Sequence, residues 1–140
     1  SKKNIFCTKL CASTILEKLP FTIPTRIRSF LTTHWHTLDC IEFKTTRHPN
    51  NQLTYAGIIL YEVKTQKYNP KLQPLFKKCT FTTNQVAVYT SAKRIGMHTR
   101  LAKVLFFEDW KYGISVLDFN PEKYAYLICN GSPSFQKASS

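Results

Sequence analysis

Apolar and polar residues alternate along much of this chain, most clearly in its middle and last thirds. Cys40-Ile-Glu-Phe-Lys-Thr-Thr46 changes face at each step and stops at Arg47-His-Pro-Asn-Asn51, where Pro and Asn predict a turn. Leu53 to Val63 follows as a second strand, so the two predict an antiparallel hairpin, with Gly57 marking a bulge or kink. Leu75 to Phe81 and Gln85 to Thr90 read as further strands. Leu101 to Phe107, Tyr112 to Phe119 and Lys123 to Cys129 are rich in β-branched and aromatic residues and are separated by short polar breaks, the pattern of an antiparallel meander. Ile23 to Leu38 alternates loosely and predicts a strand with one wet face bearing Arg26, Arg28, His34 and His36. The helical signal is confined to Ser13 to Leu19, a short turn capped by Ser13 and ended by Pro20 and Pro24.

Strands recurring at roughly 8 to 12 residues predict an all-β fold, an antiparallel barrel or sandwich of about eight strands. One domain is expected over residues 1–140, with the barrel at about 21–130 and a loose polar tail at 132–140. An up-and-down barrel of about eight strands has room inside for one small ligand, which points to binding rather than catalysis.

Charge adds a partner class. Lys and Arg outnumber Asp and Glu by 20 to 8, a formal net charge of +12, which favours an acidic partner such as a nucleotide, a nucleic acid or an anionic surface. No apolar run reaches the ~18 residues that a membrane span needs. The five cysteines, Cys7, Cys11, Cys40, Cys79 and Cys129, include no couple of close-set pairs of the zinc-binding kind. A secreted, disulfide-bearing protein is the expectation, with the odd count leaving at least one thiol free or paired outside the chain.

Candidate chemistry is sparse. Arg26, Arg28, Lys93, Arg94 and Arg100 would form a basic rim guiding an anionic ligand, and Tyr55, Tyr61, Trp110, Tyr112, Tyr124 and Tyr126 are the aromatic candidates for contact with it. Asn130-Gly-Ser132 fits the glycosylation pattern but precedes Pro133. His34-Trp-His36 places two imidazoles on one strand face, and with Tyr89 as nucleophile and Lys93 nearby it offers an alternative reading as a basic nucleic-acid-processing domain. Metal binding there lacks a third ligand. The eight acidic residues lie mostly isolated and no Ser/His/Asp arrangement stands out, so the expectation is a non-enzymatic protein.

Lys103-Val-Leu-Phe-Phe107, Val116-Leu-Asp118 and Tyr124-Ala-Tyr-Leu-Ile-Cys129 resemble the last three strands of lipocalins. Leu16-Glu-Lys-Leu-Pro-Phe-Thr-Ile-Pro24, Asp39-Cys-Ile-Glu-Phe-Lys-Thr-Thr46 and Phe76-Lys-Lys-Cys-Thr80 are similar to the triabin-type salivary lipocalins of blood-feeding bugs, the pallidipin group in particular. The resemblance implies an eight-stranded antiparallel up-and-down lipocalin barrel, secreted into saliva. It implies sequestration of a small host mediator, a nucleotide or an eicosanoid, that inhibits platelet aggregation; the runner-up within that fold is surface inhibition of a clotting protease. It also implies a bridge from Cys7 to Cys129, with Cys11 as substitute. The expected barrel is one without the family's C-terminal helix. Haem-binding relatives carry a His after a Leu-Tyr pair; here Leu60-Tyr61 is followed by Glu62, so neither haem nor another cofactor is expected.

Overall fold

A computed structural model describes residues 5–67, 78–79, 81–107, 110–121 and 135–136. The order of elements is β1 (Ile5–Cys7), α1 (Ala12–Leu16), α2 (Thr25–His34), a 3-10 turn (Trp35–Thr37), β2 (Cys40–Arg47), β3 (Leu53–Lys67), β4 (Lys78–Cys79), α3 (Thr83–Arg94), β5 (His98–Phe106), β6 (Tyr112–Asp118) and β7 (Phe135–Gln136). Five strands form one sheet in the order β1-β2-β3-β5-β6, while β4 and β7 pair separately. The β3–β5 pair is parallel and the other pairs are antiparallel. The sheet is therefore mixed and open, and the expected eight-stranded antiparallel barrel is not the fold.

Two segments overturn that expectation. Ile23 to Leu38 is not a strand: Pro24 stands at the N-cap of α2, and Ile27, Phe30 and Leu31 are buried at the i, i+3, i+4 spacing of one helical face. Gln85 to Thr90 is likewise helical. Thr82 accepts a hydrogen bond from the Gln85 N–H while the Gln85 side chain accepts from the Thr82 N–H, a capping box that commits the following turn to a helix despite its valines. Burial then fixes α3, with Val86, Val88, Tyr89 and Ala92 all inside.

The hairpin of β2 and β3 forms as its alternation predicts. Its register slips between Lys44 and Thr45, opposite Gly57, where the bulge was expected. Tyr112–Asp118 pairs antiparallel with β5, also as expected; the third meander segment, 123–129, and most of 75–81 lie outside the described residues.

Ile41, Phe43, Ile58, Leu60 and Leu101 share one face of the sheet and join a single apolar cluster with Leu31 of α2, Trp35 of the 3-10 turn, and Tyr89 and Ala92 of α3. The parallel pair requires a crossover, and α3 supplies it. The first turn of α3 therefore returns beside the C-terminal half of β3, and this connection builds the site. Among the described residues no helix is long and apolar enough to cross a membrane.

Candidate active site

The apolar face of β3 changes character abruptly. Ile58 and Leu60 are core residues, but the next two positions on the same face, by the two-residue period of a strand, are Glu62 and Lys64. Glu62 is 1% exposed. Across the hairpin, Cys40 pairs with Tyr61, so Asp39, one residue earlier, faces Glu62. Two carboxylates that are 23 residues apart in sequence thus come close enough at the start of β2 for the charge of one to act on the other.

Asp39 is anchored through Oδ2, which accepts the Val63 N–H at 2.8 Å. Glu62 Oε2 takes an ion pair from Lys64 Nζ at 3.0 Å and a hydrogen bond from Gln85 Nε2 at 3.0 Å. Lys64 Nζ also donates to Gln85 Oε1 at 3.4 Å and lies 4.7 Å from the centre of the Phe81 ring. Because Gln85 Oε1 already accepts from the Thr82 N–H at 2.9 Å, the capping box orients the amide and turns its NH2 towards Glu62. One turn on, the Tyr89 hydroxyl donates to the Tyr61 carbonyl at 3.2 Å beneath the pair.

Glu62 Oε1 is buried and has no hydrogen-bond partner. An orphaned carboxylate oxygen in a core is expensive unless something binds it. Burial first, and the charge of Asp39 second, push the Glu62 carboxyl up to about 7, with Lys64 pulling the other way. The Tyr89 phenol is driven well above its ordinary range by burial and then by the Glu62 and Asp39 charges, so it stays protonated as a donor.

The sequence-level candidates lie elsewhere. Arg26 and Arg28 are on α2, where Arg28 donates to the Leu16 carbonyl at 3.4 Å. Tyr55 packs against the core, and Tyr61 donates to Glu42 Oε1 at 2.6 Å on the sheet's opposite face. Lys93 and Arg94 end α3, far along the helix from Gln85, and Lys93 borders a cavity of about 380 Å³ with His98 and Asp118. Arg100 Nε lies 4.0 Å from Asp118, whose carboxyl is held low by a hydrogen bond from His98. Trp110 is 95% exposed, with φ 65° on the turn between β5 and β6, and Tyr112 is exposed at the start of β6. Tyr124, Tyr126 and Cys129 fall outside the described residues, and Cys7, Cys11 and Cys40 carry free thiols. His34 packs on Phe30, with ring centres 4.6 Å apart, and His36 is exposed on the 3-10 turn, whereas Tyr89 is fully buried and is not presented as a nucleophile.

Only Tyr89 of those candidates belongs to the site. The missed residues were nonetheless marked in the sequence: Glu62-Val-Lys64 prolongs a buried strand face with charge, and Thr82-x-x-Gln85 is a capping-box pattern just upstream of Tyr89. Among the described residues no group of three or more His, Cys, Asp or Glu gathers around a common point. The pair is therefore unlike a zinc cage, and suits a hard cation that takes one or two carboxylates and fills its remaining positions with water and phosphate oxygens. No family model, curated protein or solved structure matches the chain.

Proposed function

We propose that this chain is a divalent-cation-dependent phosphodiesterase acting on nucleic acid, with Asp39, Glu62 and Lys64 as its catalytic group. The observation that carries the reading is the buried, unpartnered Oε1 of Glu62 beside Asp39, with a lysine held at the same carboxylate. Mg²⁺ or Mn²⁺ at the two carboxylates would polarise a phosphoryl oxygen and lower the pKa of a bound water.

The chain's own residues account for the rest. Asp39 and Glu62 present oxygens from two paired strands, so their separation is fixed by the sheet. Lys64, 19% exposed at its side chain and aligned by Gln85, supplies a positive charge where negative charge develops on the attacked phosphate. Gln85 keeps Glu62 from turning away. A net charge of +12 gathers a polyanion without selecting its sequence. The nucleic-acid class was the alternative raised by His34, His36 and Tyr89, and it rests here on different residues. The barrel that would have enclosed a small mediator is not the fold, since the described sheet is open.

The test is hydrolysis of end-labelled single- and double-stranded DNA and RNA, with Mg²⁺, Mn²⁺ or EDTA, by the wild type and by Glu62→Gln. Cleavage that needs the cation and is lost in the variant is expected. Wild-type protein that binds neither cation nor polynucleotide, or cleavage undiminished in Glu62→Gln, would sink the proposal.

A further inference from the structure

We infer that Cys7 and Cys40 form a reversible cross-strand disulfide that clamps β1 against the backbone carrying Asp39. β1 and β2 are antiparallel and Cys7 stands directly opposite Cys40. The Thr8 N–H donates to the Asp39 carbonyl at 3.0 Å, so that neighbouring pair is the hydrogen-bonded one. Alternation along an antiparallel ladder makes Cys7 and Cys40 a non-hydrogen-bonded pair, in which Cα atoms stand about 4.5 Å apart and both side chains rise from one face. That spacing lies within the roughly 4.4–6.8 Å that disulfides span. Both thiols are free, Cys7 exposed and Cys40 half-buried. No other described pair of cysteines is opposed in this way.

The position of the pair gives it a consequence. Thr8, next to Cys7, donates its N–H and its hydroxyl to the Asp39 carbonyl, and the same hydroxyl also bonds the Leu38 carbonyl. The backbone from which Asp39 reaches Val63 is thereby held by β1. Yet β1 is three residues long, sits at the sheet edge and leaves Ile5 46% exposed, so it is a strand prone to fray. A covalent tie at Cys7 keeps Thr8 on Asp39.

The oxidant is a small-molecule disulfide such as glutathione disulfide. The exposed Cys7 thiolate attacks one of its sulfurs and expels one glutathione thiolate. The Cys40 sulfur, its proton passing to solvent, then attacks Cys7 Sγ and expels the second. Two protein thiols lose two protons and two electrons, and the small disulfide is reduced to two thiols. The inference rests on the phosphodiesterase reading only for what Asp39 does; the bridge itself stands on strand register.

The experiment equilibrates the full chain in oxidising and reducing glutathione buffers, alkylates free thiols and maps disulfide-linked peptides by mass spectrometry. A Cys7–Cys40 peptide is expected, with a melting temperature roughly 10 °C higher than in the reduced protein, from closure of a loop of about 34 residues. The shift should vanish in Cys7→Ser and Cys40→Ser and persist in Cys11→Ser. The oxidised protein should also gain more melting temperature from Mn²⁺ than the reduced protein does, and Cys7→Ser should behave as reduced in both buffers. Both cysteines alkylated in the oxidising buffer, or Cys7 joined to Cys11, overturns the inference. A bridge that leaves the Mn²⁺ response unchanged overturns the clamp. A bridge and its Mn²⁺ coupling in a protein that cleaves no nucleic acid supports the clamp and removes only the phosphodiesterase reading.

Discussion

Glu62→Gln keeps the size and shape of a buried side chain while removing the charge that an ionised carboxylate carries into the core beside Asp39. The carboxyl rises from its ordinary 4.5 to about 7 on folding, so between those values the native state binds a proton that the unfolded chain releases. The stabilisation from the protonated form is fully present below the unfolded value and is lost as pH climbs through about 7. At 1.36 kcal/mol per pH unit the ionised Glu62 costs the metal-free fold about 3 kcal/mol above that pH. The amide variant escapes this cost, so Glu62→Gln should be more stable than wild type by about 3 kcal/mol in mildly alkaline EDTA buffer, or about 10 °C in melting temperature, with the gap closing in acid. Mn²⁺ should reverse the order by binding wild type alone. Urea denaturation across a pH series, with and without Mn²⁺, reads both effects. A gap that does not change with pH, or a less stable variant throughout, would refute the assignment of Glu62 as a strained, cation-seeking carboxylate.

Lys64→Met preserves the packing of the aliphatic stem and removes the ammonium; turnover should fall roughly 10²- to 10³-fold, and cation binding, now working against a Glu62 that is harder to ionise, should shift to higher pH, as read by calorimetric titration with Mn²⁺. Thr82→Ala should cost about 1 kcal/mol by removing the cap, and should also lower turnover by releasing Gln85, while Thr82→Ser restores both; an activity unmoved by the alanine would show that the cap does not orient the amide. Leu31→Ala, at a fully buried position, should destabilise the fold by roughly 2–5 kcal/mol without altering Mn²⁺ affinity of the folded protein. Timed alkylation under reducing conditions should modify Cys11, exposed and held low chiefly by its Ser13 hydrogen bond, before Cys40, which burial pushes up.

The sequence makes the β2–β3 hairpin legible because a strand with one buried face writes its period directly and the Pro-Asn turn punctuates it. It conceals α3, because that helix is buried broadly enough that Val86, Val88 and Tyr89 are all inside, and the short run Gln85-Val-Ala-Val-Tyr-Thr90 then satisfies a strand pattern equally well. α2 shows the opposite failure: its face of Ile27, Phe30 and Leu31 carries the helical period, but the Thr and Ile residues around it favour strands by propensity. Two helices that carry strand-like patterns raise the apparent strand count to that of a barrel and hide the parallel β3–β5 connection through α3. The site was hidden for the same reason, since Asp39 meets Glu62 only through the hairpin and Gln85 meets both Glu62 and Lys64 only through that crossover.

Why a fold would retain a costly carboxylate follows from how its neighbours are committed. Gln85 Oε1 accepts from Thr82 and Lys64, so its NH2 is the group left for Glu62, and both it and Lys64 donate to the same oxygen, Oε2. Those donors favour a charge on Glu62, yet none reaches Oε1, and burial with Asp39 opposes the charge more strongly. In the metal-free protein a proton taken up below about pH 7 belongs on Oε1, the oxygen left without a partner. A divalent cation held by Asp39 and Glu62 would take the place of that proton, so cation uptake below about pH 7 should release a proton and above it should not. Calorimetric titration with Mn²⁺ in two buffers of different ionisation enthalpy measures the release directly. A proton count that stays at zero on both sides of that pH would mean that the cation does not bind at Glu62.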